Sequence, residues 1–120
     1  MTDTHEAARS DLSIDISTID SVRIVTLRGE IDHTHRDALY RELVPSEHAT
    51  EPRTVLDLSG VSFMDSSGLN VLIAAHQALT ETDGRLHLVG AHGPVLRVME
   101  LVGIDTVIPC HPTVHHALND

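Results

Sequence analysis

Thr54-Val55-Leu56-Asp57-Leu58-Ser59-Gly60-Val61-Ser62-Phe63-Met64-Asp65-Ser66-Ser67-Gly68-Leu69 changes its hydrophobic period part-way along. Thr54 to Leu58 is a short β-branched and apolar run that reads as a buried strand, which Gly60 is expected to break. Leu69, Leu72, Ile73, His76 and Leu79 then follow in steps of three and four, the spacing of a helix, and Asp83-Gly84 closes it. A buried strand that turns through small polar residues into a helix is half of a βαβ unit.

The flanking sequence continues the pattern. Leu12-Ser13-Ile14-Asp15-Ile16 alternates apolar and polar residues, and Val22-Arg23-Ile24-Val25-Thr26-Leu27 is β-branched and ends at Gly29, so an antiparallel hairpin is predicted. Ala38, Leu39, Leu43 and Val44 fall at helical spacing before Pro45 and a polar stretch to Pro52. Downstream, Arg85 to Val89 reads as a strand. Pro94 suits the first turn of a helix carrying Val95, Val98, Met99 and Val102, with Gly103 at its end. Thr106-Val107-Ile108 is expected to be the last strand, and Thr113 to cap a short helix with Val114, Ala117 and Leu118.

These elements predict an α/β sandwich: a mixed, mostly parallel sheet of about five strands with about four helices, right-handed crossovers and an antiparallel first strand at one side. Residues 1–11 are polar and aperiodic and read as a loose tail, leaving residues 12–120 as one domain. In such a sheet the loops at the carboxyl ends of the parallel strands converge. The loops after Leu27 and Leu58 should therefore meet, with Asp32 and Ser66 on one surface.

Composition narrows the function. The 120 residues suffice for one core, which must be aliphatic because Phe63 and Tyr40 are the only aromatics. Eighteen acidic residues against eight basic ones give a net charge of −10, which repels nucleic-acid phosphates, so no direct nucleic-acid partner is expected. Every basic residue is Arg, and the absence of Lys removes P-loop phosphate binding and Schiff-base chemistry. It also removes a two-component receiver built on Asp57, whose site needs a lysine. Cys110 stands alone and reads as a small, partly buried hydrophobe in a reducing compartment. With no apolar run long enough to cross a bilayer and no signal-peptide pattern, a cytoplasmic protein without a membrane partner is expected.

The chemistry-bearing residues cluster at the mouth of the predicted helix after Met64. Backbone N–H groups in a first turn lack intrahelical partners and favour negative charge, so a phosphate on Ser66 or Ser67 should be accommodated there. Gly68, where a helix former is expected, suggests that something approaches the backbone closely. On residue types alone, an ordinary cap by Asp65 or Ser66 is the commoner explanation.

Gly29-Glu30-Ile31-Asp32 after a strand, taken with Asp57 through Leu69 as quoted above, resembles the STAS domain of anti-sigma-factor antagonists, over roughly residues 12–118. The resemblance implies a non-enzymatic regulator without cofactors, monomeric when free. Its partners would be an anti-sigma factor with serine kinase activity, which phosphorylates Ser66 and releases a sigma factor when bound to the unmodified protein, and a serine phosphatase. Asp32 and Asp65 would border the phosphoacceptor, and Ser67 and Gly68 would complete the partner surface. The sequence departs from the family's pattern at His35 and Arg36, where a small hydroxyl residue and Ala are usual, and at Asn70, where Gly is frequent.

Two other chemistries have weaker footing. His33 and His35 beside Asp32 and Asp37, and His111 and His115 a helical turn apart beside His116, invite a metal, but neither group has a complete ligand set. Exposed histidines in loops explain them more simply. A serine hydrolase lacks its Gly-x-Ser-x-Gly elbow. The main alternative to the antagonist is a stand-alone STAS sensor that binds a small anion or nucleotide.

Overall fold

The computed structural model describes residues 12–44 and 53–119, so the predicted tail lies outside the described residues. Strand β1 (Leu12–Ile19) and β2 (Val22–Ile31) form the predicted hairpin, paired from Leu12↔Gly29 to Ile19↔Val22. Asp20 and Ser21 make its two-residue turn with φ of 51° and 67°, the left-handed geometry whose twist matches a hairpin. A single 3₁₀ turn (His33–His35) leads into α1 (Arg36–Leu43). Then come β3 (Arg53–Met64), α2 (Ser66–Glu81), β4 (Arg85–Val89), α3 (Gly93–Val102), a second 3₁₀ turn (Ile104–Thr106), β5 (Cys110–His111) and α4 (Val114–Leu118). The sheet order is β1-β2-β3-β4-β5, antiparallel only between β1 and β2.

Strand alternation divides the core between the two faces. Leu27, Leu56, Leu58, Leu86 and Leu88 pack under Leu39 and Leu43 of α1, Leu72 and Ala75 of α2, and Val95 and Met99 of α3. On the other face Val22, Ile24, Val55 and Val89 lie against Ala117, with Val114 and Leu118 of α4 beside them. Among the described residues one face carries three helices and the other carries one short helix.

Three predicted boundaries are corrected. β2 does not end at Gly29: at φ 112° that residue sits among register shifts against β3, and the strand runs on to Ile31. Nor does Gly60 break β3. A Cβ there would stand 3.0 Å from the Leu27 carbonyl oxygen and from Arg28 Cγ, so the missing side chain lets the strands stay paired at Gly60↔Arg28. Third, Thr106-Val107-Ile108 is not a strand. Val107 and Ile108 donate back to the Ile104 carbonyl (2.9 Å each), burying Ile104 and Ile108, and the strand comes later at Cys110–His111. Burial of those two isoleucines outweighs the local β propensity. On α3, Val102 is exposed rather than core.

Candidate functional site

The sheet brings Asp32 and Asp65 side by side. Ile31 and Met64 are register partners at the ends of β2 and β3, both buried, and each is followed by an aspartate. The Asp65 N–H donates to the Ile31 carbonyl (3.1 Å), which extends the pairing to the point where both chains leave the sheet. The strand-end loops therefore converge as predicted, although four to six residues later than Leu27 and Leu58.

At Asp65 the backbone is extended and the side chain caps α2: Oδ1 accepts from the N–H of Ser67 (2.8 Å) and of Gly68 (3.2 Å). This corrects the expectation of open first-turn amides, because two of them are already taken by a carboxylate. Ser66 is the first residue of α2 and is exposed; among the described residues its hydroxyl makes no hydrogen bond. Ser67 is half-buried. Gly68 is buried, and what approaches its backbone is the core itself: a Cβ would fall 2.5 Å from Met64 Cγ and 2.9 Å from Ile31 Cγ2.

Asp32 caps the 3₁₀ turn. Its Oδ1 accepts from the Thr34 hydroxyl (2.6 Å) and the Thr34 N–H (2.9 Å), while His35 Nδ1 accepts from the Asp32 N–H (3.3 Å). The two Thr34 donors, hydroxyl first, hold its carboxyl below the usual carboxylate range, helped by His35 and His33. The aspartate is partly exposed and faces the same end of the sheet as Ser66.

Two neighbouring features carried no signal in the sequence. Phe63, the sole phenylalanine, is 45% exposed two residues before Asp65. Only its place on the outward side of a strand longer than predicted reveals it. Between α1 and α2 lies a groove of about 390 Å³ lined by Arg36, Asp37, Tyr40, Arg41, Asn70, Val71 and Ala74. Arg36 and Asn70, two of the departures from the family's pattern, thus line one surface beside the helix mouth.

The histidine groups are rearranged. His111 is in β5, not a helical turn from His115, and its ring stacks on buried His87 with centroids 5.1 Å apart and Nε2 3.1 Å from His87 Nδ1. His115 and His116 engage Asn119 and Thr113 at the ends of α4. Among the described residues no three His, Cys, Asp or Glu side chains gather as an ion site. Cys110 is more exposed than expected; its thiol contacts the Ile108 carbonyl (3.3 Å), and desolvation, then Asp105, push its pKa up.

The five-stranded mixed sheet and its helices match a known fold. The STAS domain family model matches residues 13–117. The chain belongs to the STAS domain family. Among STAS proteins it is 28% identical over 114 residues to an anti-sigma F factor antagonist of Paenibacillus polymyxa, covering 92% of this chain and 95% of that protein. The crystal structure of an anti-sigma factor antagonist from Mycobacterium paratuberculosis superposes with a TM-score of 0.80 at 33% identity, covering 90% of this chain and 92% of that one. The Bacillus cell fate determinant SpoIIAA in its phosphorylated form shares the fold, with a TM-score of 0.68 at 20% identity over 89% and 97% of the two chains. No helix among the described residues is long and apolar enough to cross a membrane.

Proposed function

We propose that this STAS protein is an anti-sigma-factor antagonist switched at Ser66. Unphosphorylated, it binds an anti-sigma factor with serine kinase activity and so frees a sigma factor; the kinase then modifies Ser66, the complex weakens, and a serine phosphatase resets the protein. The chain itself catalyses nothing in this cycle. Asp32, Asp65, Ser66, Ser67 and exposed Phe63 form the contact surface, with Gly68 setting its shape from below.

The observation that carries this reading is the division of labour at the mouth of α2. Asp65 does the capping, so the exposed Ser66 hydroxyl has no structural duty and can be modified without unfolding the helix. Because Asp65 already occupies the amides of Ser67 and Gly68, a phosphate on Ser66 finds a carboxylate at those donors. About −1.5 to −2 charges then remain on the surface, where they cost any partner that must desolvate them or that carries acid there. The relatives named as anti-sigma factor antagonists, and the phosphorylated state of a protein with this fold, support the same assignment.

Affinity capture of wild type and Ser66→Ala from the native cytoplasm tests it. An ATP-binding anti-sigma factor should be retained by both, and more completely by Ser66→Ala. Phosphate mapped to Ser67 alone, or an alanine variant that loses the partner, contradicts the assignment.

A further inference from the structure

The end of the sheet remote from Ser66 is built differently. β3 is 12 residues long, which at about 3.3 Å per residue puts its first residue, Arg53, roughly 35 Å from the helix mouth. Arg53 is the register partner of Arg85, the first residue of β4, and the next alternate pair is Val55↔His87. Register partners on parallel strands lie about 4.8 Å apart and project to the same side. Both arginines and His87 therefore stand on one face, the one covered by α4, and they line a cleft of about 340 Å³ with Pro109.

Two arginines at paired register positions repel each other unless an anion offsets their charge. The chain carries 18 acidic residues, yet among the described residues no carboxylate pairs with either arginine. Arg53 Nη2 donates to the Ala117 carbonyl (2.8 Å), which orients that side chain and leaves N–H groups over. Arg85 is exposed and engaged by no group in the described residues. By contrast, Arg23 on β2 is matched by Glu42 at 3.0 Å. Arg85, His87 and Pro109 also line a hollow of about 370 Å³ together with His76, Thr80 and Asp83, and His76 Nδ1 is buried with no hydrogen-bond partner among the described residues. Among the described residues β5 pairs only with Leu88 and Val89, so no described strand lies outside the Arg85 end of β4.

The geometry points to a binding site for a small phosphate-bearing anion, clamped between Arg53 and Arg85 beside the His87 that lines the same cleft. Paired guanidiniums offer the forked donors that match a tetrahedral oxyanion, and the volume exceeds that of a bare phosphate, leaving space for a few more heavy atoms. Asp83, which also lines the hollow, disfavours a larger polyanion. This site is independent of the Ser66 switch, and it gives a ligand-sensing role a separate place in the same domain.

Amide-resolved NMR titration of the full chain, at constant ionic strength, with inorganic phosphate and separately with glycerol 3-phosphate tests the proposal. Saturable shifts are expected at residues 53, 85 and 87. Arg85→Gln should weaken binding about tenfold, the loss of one charge-assisted anion contact. Arg85 is the decisive position because, unlike Arg53, it holds no part of the fold. Equal affinity for the two probes identifies the phosphate group alone as the recognised element; tighter glycerol 3-phosphate binding identifies a phosphorylated metabolite. Ser66→Ala should bind both as wild type does. Shifts that never saturate, shifts confined to residues 65–68, or an Arg85→Gln affinity within twofold of wild type overturn it.

Discussion

Asp32 and Asp65 occupy equivalent points on neighbouring parallel strands, each one residue past a buried register partner, yet their carboxylates have different duties. Asp65 serves the 16-residue helix α2 through two backbone amides. Asp32 serves a three-residue turn, and its shorter contact is to a hydroxyl rather than to backbone. The same residue type at the same depth thus caps a long helix on one strand and a single 3₁₀ turn on the next. Where a carboxylate's donors come from decides which.

That contrast can be broken in order of expected effect. Gly68→Val should be the most damaging substitution at the site, because Met64 and Ile31 already stand within 2.9 Å of where the Cβ must go. Overpacking of this kind costs about 1–3 kcal/mol, and chemical denaturation should show a loss at the upper end. Asp65→Ala removes a helix cap and should cost about 1 kcal/mol, while Asp65→Asn, which still caps, should cost much less.

Asp32→Ala should cost less stability than Asp65→Ala does but weaken binding to the anti-sigma factor, measured by calorimetry on the same preparation. Equal destabilisation by the two alanine variants would erase the distinction between the caps. The smallest effect is in pH. Asp32 has a lowered pKa in the folded chain, so its contribution is present above the ordinary carboxylate value of 3.8 and disappears as pH falls through the folded value. The small difference in Tm between wild type and Asp32→Ala should therefore start to shrink as pH falls below about 3.8 and be lost only once pH is below the folded value.

Much of this was legible in the residues. Alternation in Leu12–Ile16 and the period of three and four in Leu69–Leu79 report burial directly, so the hairpin, α2 and the sheet's mixed character follow from pattern alone. Gly60 reads locally as a break, yet packing and not turning requires it. At Gly60 and Gly68 the absent Cβ admits a neighbouring strand and a neighbouring side chain, contacts that no local sequence encodes. β5 was misplaced for a related reason: Ile104 and Ile108 are drawn into the core as one helical turn, and the two-residue strand after them is fixed by contacts to Leu88 and Gly90. The paired aspartates needed both the resemblance to a family and the register, since only the Ile31↔Met64 pairing sets them side by side. The Arg53–Arg85 pairing across β3 and β4 depends on register in the same way, and nothing local to either residue announces it.

The central claim is that Ser66 is a surface switch whose modification changes binding and leaves the fold alone. Isothermal titration of the purified kinase-type anti-sigma factor into unmodified and stoichiometrically Ser66-phosphorylated protein, with Tm measured for both forms, tests it most directly. The account predicts at least about tenfold weaker binding of the phosphorylated form, roughly 1.4 kcal/mol, with Tm nearly unchanged. Equal affinities, or a phosphorylated protein that has lost its cooperative unfolding transition, would contradict it.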